Sequence, residues 1–434
     1  MSKIDNNIKQ FKLLMKDYSI SIIDESFYDN GTKLKQFIHI FDDVEDSRVT
    51  GRCIYTTKFI VVIVFLALLG TSETWQEIAD FAEDYKDKIS QFIEYPETLP
   101  VHDTYMRVFS KINSKTLEDT IINFLKSCID NVVKNNINNS GVEQIAMDGK
   151  VLRGSGRKYD TNEKIPNKEI MHFWDTSNGI CLRSVAISEK TNEIPVAQSV
   201  LKELDIKNKI ITADALHCQK ETVKIIIEGK GHYVLALKGN QKEFYDDISK
   251  YFVNNIKNIT NTQKYYKPDI EKNHNQIETR EYFMVDAHKF YQDDQWANIK
   301  TVICYKKKIW HIHSQKESYE YRYFISDLND IETIAHAIRN HWSIENNLHH
   351  TLDKFMKEDA NKTMDKVATN NLSLVRKMVA SIIVLIAPLF RNGSKQRTIK
   401  SFNANYEKNL IRLFNFLDGK ELSKIIITRK EQKK

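Results

Sequence analysis

The stretch "NKIITADALHCQKETVKIIIEGKGHYVLALKGN", Asn208–Asn240, decides the fold. Its opening "KIITA" is a short apolar run bounded by turn residues, which reads as a strand. The next residues, "HCQKETVKIIIEGKG" (His217–Gly231), carry apolar positions at helical spacing and end in a glycine stop at Gly229 or Gly231. "HYVLALKGN" is a further strand. Upstream, "EQIAMDGKVLRG" (Glu143–Gly154) and "KEIMHFWDTSNGICLRSVAIS" (Lys168–Ser188) are also short apolar or alternating runs closed by turn residues. Strands interleaved with helices in this order predict an α/β core built on a mixed sheet.

Outward from this core the pattern changes twice. Residues 1–135 read as helical, with apolar spacings of three and four in "TTKFIVVIVFLALLG", "WQEIADFAEDY", "YMRVFSKI" and "LEDTIINFLKSCIDNVV". Between the second and third of these lies a Pro-containing break. Asp103 or Thr104 is expected to cap the helix that follows, which bears Arg107 and Lys111. That grammar fits a helix-turn-helix with a groove-reading second helix, and it fits a plain helical bundle as well. A polar linker, "KNNINNSGVEQ" (Lys134–Gln144), separates this region from the core. The core is expected in two parts, 140–243 and 326–390. Between them, 244–325 is a β-rich insertion or continuation with period-two patches such as "TREYFMVDA" and "YEYRYFISDL". A basic tail region, 391–434, ends in "TRKEQKK".

Bulk composition narrows the class. With 434 residues, 41% hydrophobic and 28% charged, the chain has ample material for a core. The net charge of +6 is compatible with a polyanionic partner without requiring one. The five cysteines are scattered with no CxxC pair, which argues against a disulfide framework or a Cys-rich zinc site and for reduced thiols. "FIVVIVFLALLG" and "VASIIVLIAPLF" are each too short to cross a bilayer and are expected to be buried core helices. The amino-terminal residues lack the apolar region of a signal peptide. A cytoplasmic protein without a membrane partner is expected.

Two aspartates occupy equivalent places. Asp148 ends the apolar run "QIAM" and Asp214 ends "KIITA". A carboxylate at the end of a buried strand is held rigidly at the sheet rim, where open α/β sheets bind ligands. Carboxylates are hard oxygen donors suited to Mg²⁺ or Mn²⁺, and a pair of such ions serves phosphodiester chemistry. A third acid is then needed. The stretch "RNHWSIENNLHHTLDKFMKED" (Arg339–Asp359) is the source, because as a helix it sets His341, Glu345, His349 and Leu352 on one stripe. Glu345 is the choice. Glu358 and Asp359 lie roughly 20 Å further along the axis, and Asp353 is expected to pair with Lys357 or a histidine. A rival reading takes His341, Glu345 and His349 as zinc ligands, with His311 and His313 in support. No HExxH motif is present, and the span is too long for one zinc.

These residues resemble bacterial insertion-sequence transposases of the ISAs type, the group that includes the H-repeat-associated proteins. The likeness is carried by "IAMDGKVLRGS", by "EKTNEIPVAQSVLKELDIKNKIITADALHCQKETVKIIIEGKGHYVLALKGNQ", and by Arg339–Asp359. It runs in order from about Phe41 to Phe416. The resemblance implies a ribonuclease H-like fold with Asp148, Asp214 and Glu345 as the catalytic, metal-binding acids for two Mg²⁺ or Mn²⁺ ions. It implies DNA cleavage at transposon ends followed by strand transfer. The partners would be double-stranded DNA (terminal inverted repeats and target) and a second copy of the chain in the synaptic complex, in a nucleoid-associated setting. The Tyr-Arg-Glu-Lys signature of related transposases is not met, since His341 and Leu352 stand at its Arg and Lys offsets. Candidate DNA contacts are Lys150 and Arg153 after the first acid, Lys238, Asn240 and Gln241 after the strand at 232–237, and Arg339, His341, Trp342 and His349 around the third. Trp342 is placed to receive an unstacked base or to fill the core. Other readings are a non-catalytic DNA-binding relic, a stand-alone metal nuclease and a zinc hydrolase.

Overall fold

The computed structural model describes residues 38–386, apart from 50, 71, 91–92, 134–142, 159–163, 188–191, 260–264, 269, 274 and 291–295. The first 37 residues, most of the expected linker and the basic tail region lie outside the described residues.

Five strands form one half of a ten-stranded sheet: β1 (Gln144–Leu152), β2 (Lys168–Asp175), β3 (Ile180–Ile187), β4 (Ile210–Ala213) and β5 (His232–Leu237). They lie in the order 3-2-1-4-5. β2 runs antiparallel to its two neighbours, whereas β4 and β5 run parallel to β1. This is the ribonuclease H-like arrangement. The central pair is apolar on both faces: every residue of β4 is buried, as are Gln144–Met147 of β1. Helices α5 (Glu193–Glu203) and α6 (Lys220–Glu228) cover one face, α6 ending at the expected Gly229 stop.

The segment after β5 continues the same sheet. Strands β6 (Gln276–Asp286), β7 (Thr301–His311) and β8 (Lys316–Ser326) form an antiparallel meander, and β8 pairs with β5 with Tyr323 opposite Leu237. Short edge strands at Tyr265–Tyr266 and Glu271–Asn273 finish the sheet against β6. The segment opens with a helix that the β-rich reading did not include, α7 (Lys242–Ile259). Only Ile248, Phe252 and Ile259 of it are buried, so its apolar stripe is narrow and hidden among Tyr, Asn and Lys. Phe252 and Tyr245 pack on Tyr323. On the opposite face lies α8 (Ile331–His341). Its Ile334, Ala335 and Ile338 cover Ile210, Val234, Ile303 and Phe324.

The amino-terminal part is helical: α1 (Thr57–Leu69), α2 (Trp75–Asp84), α3 (His102–Phe109) and α4 (Ser114–Val133). Every residue of α1 from Phe59 onward is buried, and no helix among the described residues is long and apolar enough to cross a membrane. A Thr74–Glu77 capping box starts α2. Neither expected cap of α3 acts as one. That helix starts after Val101, whose backbone is still extended, and Asp103 instead sits in the first turn, where the helix dipole favours a carboxylate. The last helix among the described residues, α10 (Lys366–Ile386), is buried at every position from Ala368 to Ile382 except half-buried Asn370. It packs on α1, α3, α4 and β3 together. Asn371 donates to the carbonyls of Phe109 and Ile112 at 2.8 and 3.0 Å, and Trp75 Nε1 donates to Thr363 Oγ1 at 2.8 Å.

Candidate active site

Parallel pairing between β1 and β4 ends at Met147 opposite Ala213, so Asp148 and Asp214 are the next residues on neighbouring strands. The two acids that sequence spacing singled out therefore share one stretch of sheet rim. Their settings differ. Asp214 leaves its strand and caps a short turn, Ala215–His217, by accepting from Leu216 N at 3.0 Å. Asp148 does not end its strand. β1 continues to Leu152 against β2, with Asp148 opposite His172, because β2 goes on supplying ladder hydrogen bonds after β4 has turned away.

The third acid arrives from the α8 face. After α8 the chain forms a π-helical turn, Ile344–His349, and then α9 (His350–Lys354). A single uninterrupted helix was expected here. π turns concentrate at functional sites because the extra residue re-aims the side chains around it. Ile344 and Leu348 are buried and Trp174 Nε1 donates to Ser343 Oγ at 3.1 Å, so the turn is pinned to β2 while Glu345 is exposed. His349 points inward: its Nδ1 stands 3.6 Å from Asp148 Oδ2 and its Nε2 is 2.9 Å from His172 Nδ1. His341 Nδ1 meets Thr212 Oγ1 at 3.0 Å, two residues before Asp214 in the chain. Both histidines serve as anchors of the acids and the turn rather than as surface contacts.

Burial pushes the Asp148 carboxyl up to about 7, helped by the charges of Glu345, Asp214 and Glu193. Burial also lowers His349 to about 3 and His341 to about 4, so both imidazoles are neutral at physiological pH. Mutually repelling carboxylates backed by neutral imidazoles make a site that favours positive charge. The donors are oxygens, which suits a hard divalent cation better than zinc. Among the described residues, no three His, Cys, Asp or Glu side chains are gathered tightly enough to hold an ion as they stand.

The other candidate residues divide sharply. Lys150 is not at the surface: its ammonium is buried 2.6 Å from Asp353, 3.0 Å from Glu358 and 3.3 Å from Asp359. Asp353 thus pairs with Lys150 rather than with Lys357 or a histidine. Replacing Lys150 by Met should lower the unfolding free energy by about 3–5 kcal/mol, read as a shifted urea midpoint, because three carboxylates lose their common partner. Asn240 is exposed and Gln241 half-buried, but both side chains bind the backbone. Their amides donate to the carbonyls of Ala215 and Cys218 at 2.6 and 3.2 Å, tying the loop after β5 to the turn after Asp214. Arg339 pairs with Glu271 on the sheet edge at 3.1 Å. Trp342 is half-buried, with the Arg322 guanidinium 4.6 Å from its ring centroid. Arg153 and Lys238 are exposed on the outer surface, Arg153 with 84% of its side chain accessible. Sequence reasoning missed His172, Trp174 and Glu193. The glycine after Asp148 was the one signal that something approaches β1 closely.

The family described as "Transposase DDE domain" matches residues 140–381, and "DDE_Tnp_1-associated" matches residues 38–125. Two relatives from Escherichia coli (strain K12), "Putative protein YbfL" and "H repeat-associated putative transposase YhhI", are each 30% identical over 380 residues. Each alignment covers 86% of this chain and 97% of the relative. A third, "Putative transposase YncI" of Escherichia coli O157:H7, is 29% identical over 345 residues, covering 78% of this chain and 85% of its own. A solved synaptic complex of piggyBac transposase with hairpin DNA overlaps at a TM-score of 0.36 with 13% identity, covering 94% of this chain and 80% of that one.

Proposed function

The chain belongs to the transposase DDE domain family, and on that premise we propose that it cuts DNA at the ends of a mobile element and joins those ends to a target. What supports this reading is that Asp148 and Asp214 follow the same last parallel pair of neighbouring strands, and that the charges of Glu345 and Asp214 reach Asp148, adding to burial in raising its carboxyl. These three would hold Mg²⁺ or Mn²⁺, in the family's manner as two ions, which when bound neutralise charge on the reacting phosphate and activate the attacking hydroxyl.

The chain's own residues do the rest. His349, itself fixed by His172, orients the Asp148 carboxylate, and the amides of Asn240 and Gln241 fix the turn that aims Asp214. Arg153 and Lys238 lie at the ends of β1 and β5, placed to hold phosphates without reading sequence. Helix α3, which presents Arg107 to solvent with exposed Lys111 just beyond its end, would contact the terminal inverted repeats in a dimeric synapse.

The test uses purified protein, Mg²⁺ and a DNA fragment carrying the flanks of its own reading frame. Breaks at inverted-repeat ends are expected, together with joined strand-transfer products. Chelation by EDTA should abolish both, and added Mg²⁺ should restore them. Breaks without joining would reduce the protein to a nuclease. Binding without breaks under any cation would make it a DNA-binding relic.

A further inference from the structure

We propose that Glu193 is a fourth carboxylate of the catalytic centre, reaching the strand beside Asp148 from the opposite face of the sheet and helping to hold the divalent cation. This rests on the function proposed above and adds a residue to it.

Alternation along β1 sends Asp148 toward the α8 face, with His172 and His349, and residue 149 toward the α5 face. Residue 149 is glycine, and Glu193, the first residue of α5, occupies the place of its missing side chain. A Cβ built there collides with Glu193 Oε1 and stands 2.8 Å from Cδ. The carboxylate therefore lies against the backbone one residue from Asp148. It does so where β1 has outrun β4, since that pairing stops at Met147. Beyond this point no ladder on that side separates the two faces.

A second feature points to the same place. His217 closes the turn that begins after Asp214. Its side chain is 1% exposed, neither ring nitrogen makes a hydrogen bond, and Nε2 stands 3.4 Å from Glu193 Oε2. A buried imidazole without hydrogen bonds is costly unless something is still to be held there. The same turn thus links Asp214 to Glu193. Glu193 thus sets a further carboxylate against the backbone next to Asp148, which is the arrangement a cation relieves.

The experiment measures Mn²⁺ binding to the full-length, DNA-free protein from the electron paramagnetic resonance signal of free Mn²⁺. It compares wild type with Glu193→Gln, Gly149→Ala and Asp148→Asn. Glu193→Gln is expected to weaken binding at least about tenfold. Gly149→Ala should do the same, because its methyl displaces only the flexible tip of Glu193. Thermal unfolding without Mn²⁺ reports whether each variant folds, and Gly149→Ala decides the matter if Glu193→Gln does not. Wild-type binding that is lost in Asp148→Asn but retained in Glu193→Gln and Gly149→Ala overturns this inference and leaves the proposed function standing. Absence of Mn²⁺ binding by the wild type overturns both.

Discussion

Glu345→Gln is expected to lower the rate of DNA end cleavage by at least about 10³-fold, equivalent to about 4 kcal/mol of lost transition-state stabilisation. The glutamine keeps the size and polarity of the side chain and removes the ligand charge. Folding should hardly notice. Glu345 is exposed, and the π turn that carries it is fixed by buried Ile344 and Leu348 and by the Trp174–Ser343 hydrogen bond. Substitutions at such surface positions usually stay within about 0.5 kcal/mol. Gel assays of end cleavage beside thermal melts of the same preparations would check both halves. Equal cleavage by wild type and variant would remove Glu345 from the site. The other acids of its segment would not replace it readily, since Asp353, Glu358 and Asp359 are already spent on Lys150.

Asp148→Asn should have the opposite character, stabilising a protein that it inactivates. The folded carboxyl is raised from 3.8 to about 7, so between those values the folded chain holds a proton that the unfolded chain has released. Stability therefore falls as pH rises through this window and stays low above it. The shift corresponds to roughly 4 kcal/mol at pH 8 in the cation-free protein. Asparagine carries no charge to desolvate, and its gain in urea unfolding free energy is expected to be largest at pH 8 and to shrink below about pH 7. A variant no more stable than wild type at pH 8 would show that Asp148 is not under electrostatic strain. Sites that store strain of this kind commonly trade stability for function.

Sequence disclosed some parts of this site and hid others for identifiable physical reasons. Asp148 and Asp214 stood out because each follows a buried apolar run, and short apolar runs with turn boundaries are local signals. Glu345 was reachable by its place on a helical stripe. The π turn around it was not, because one inserted residue barely disturbs a period of 3.6. The same stripe reading placed His341 and His349 with Glu345, yet only Glu345 is exposed. The fate of Lys150 was invisible: its partners lie about two hundred residues away, and a lysine two residues after an acid looks like any loop cation. The backbone bonds of Asn240 and Gln241 were hidden similarly, since short polar side chains after a strand serve the backbone as often as they serve a ligand. The meander of β6 to β8 announced itself by alternation, but that it would extend the central sheet depended on edge pairing with β5, a non-local choice.

Helix α10 lies against α1, α3, α4 and β3 at once and presents little surface to water. In genetic terms, the gene for such a protein has few safe places to break. A deletion that removes the amino-terminal helices strips the cover from α10, and one that removes α10 takes away the partner on which α1 and α3 rest. Decaying copies should therefore pass from whole protein to unfolded fragment. They would not leave behind either part as a free folded piece.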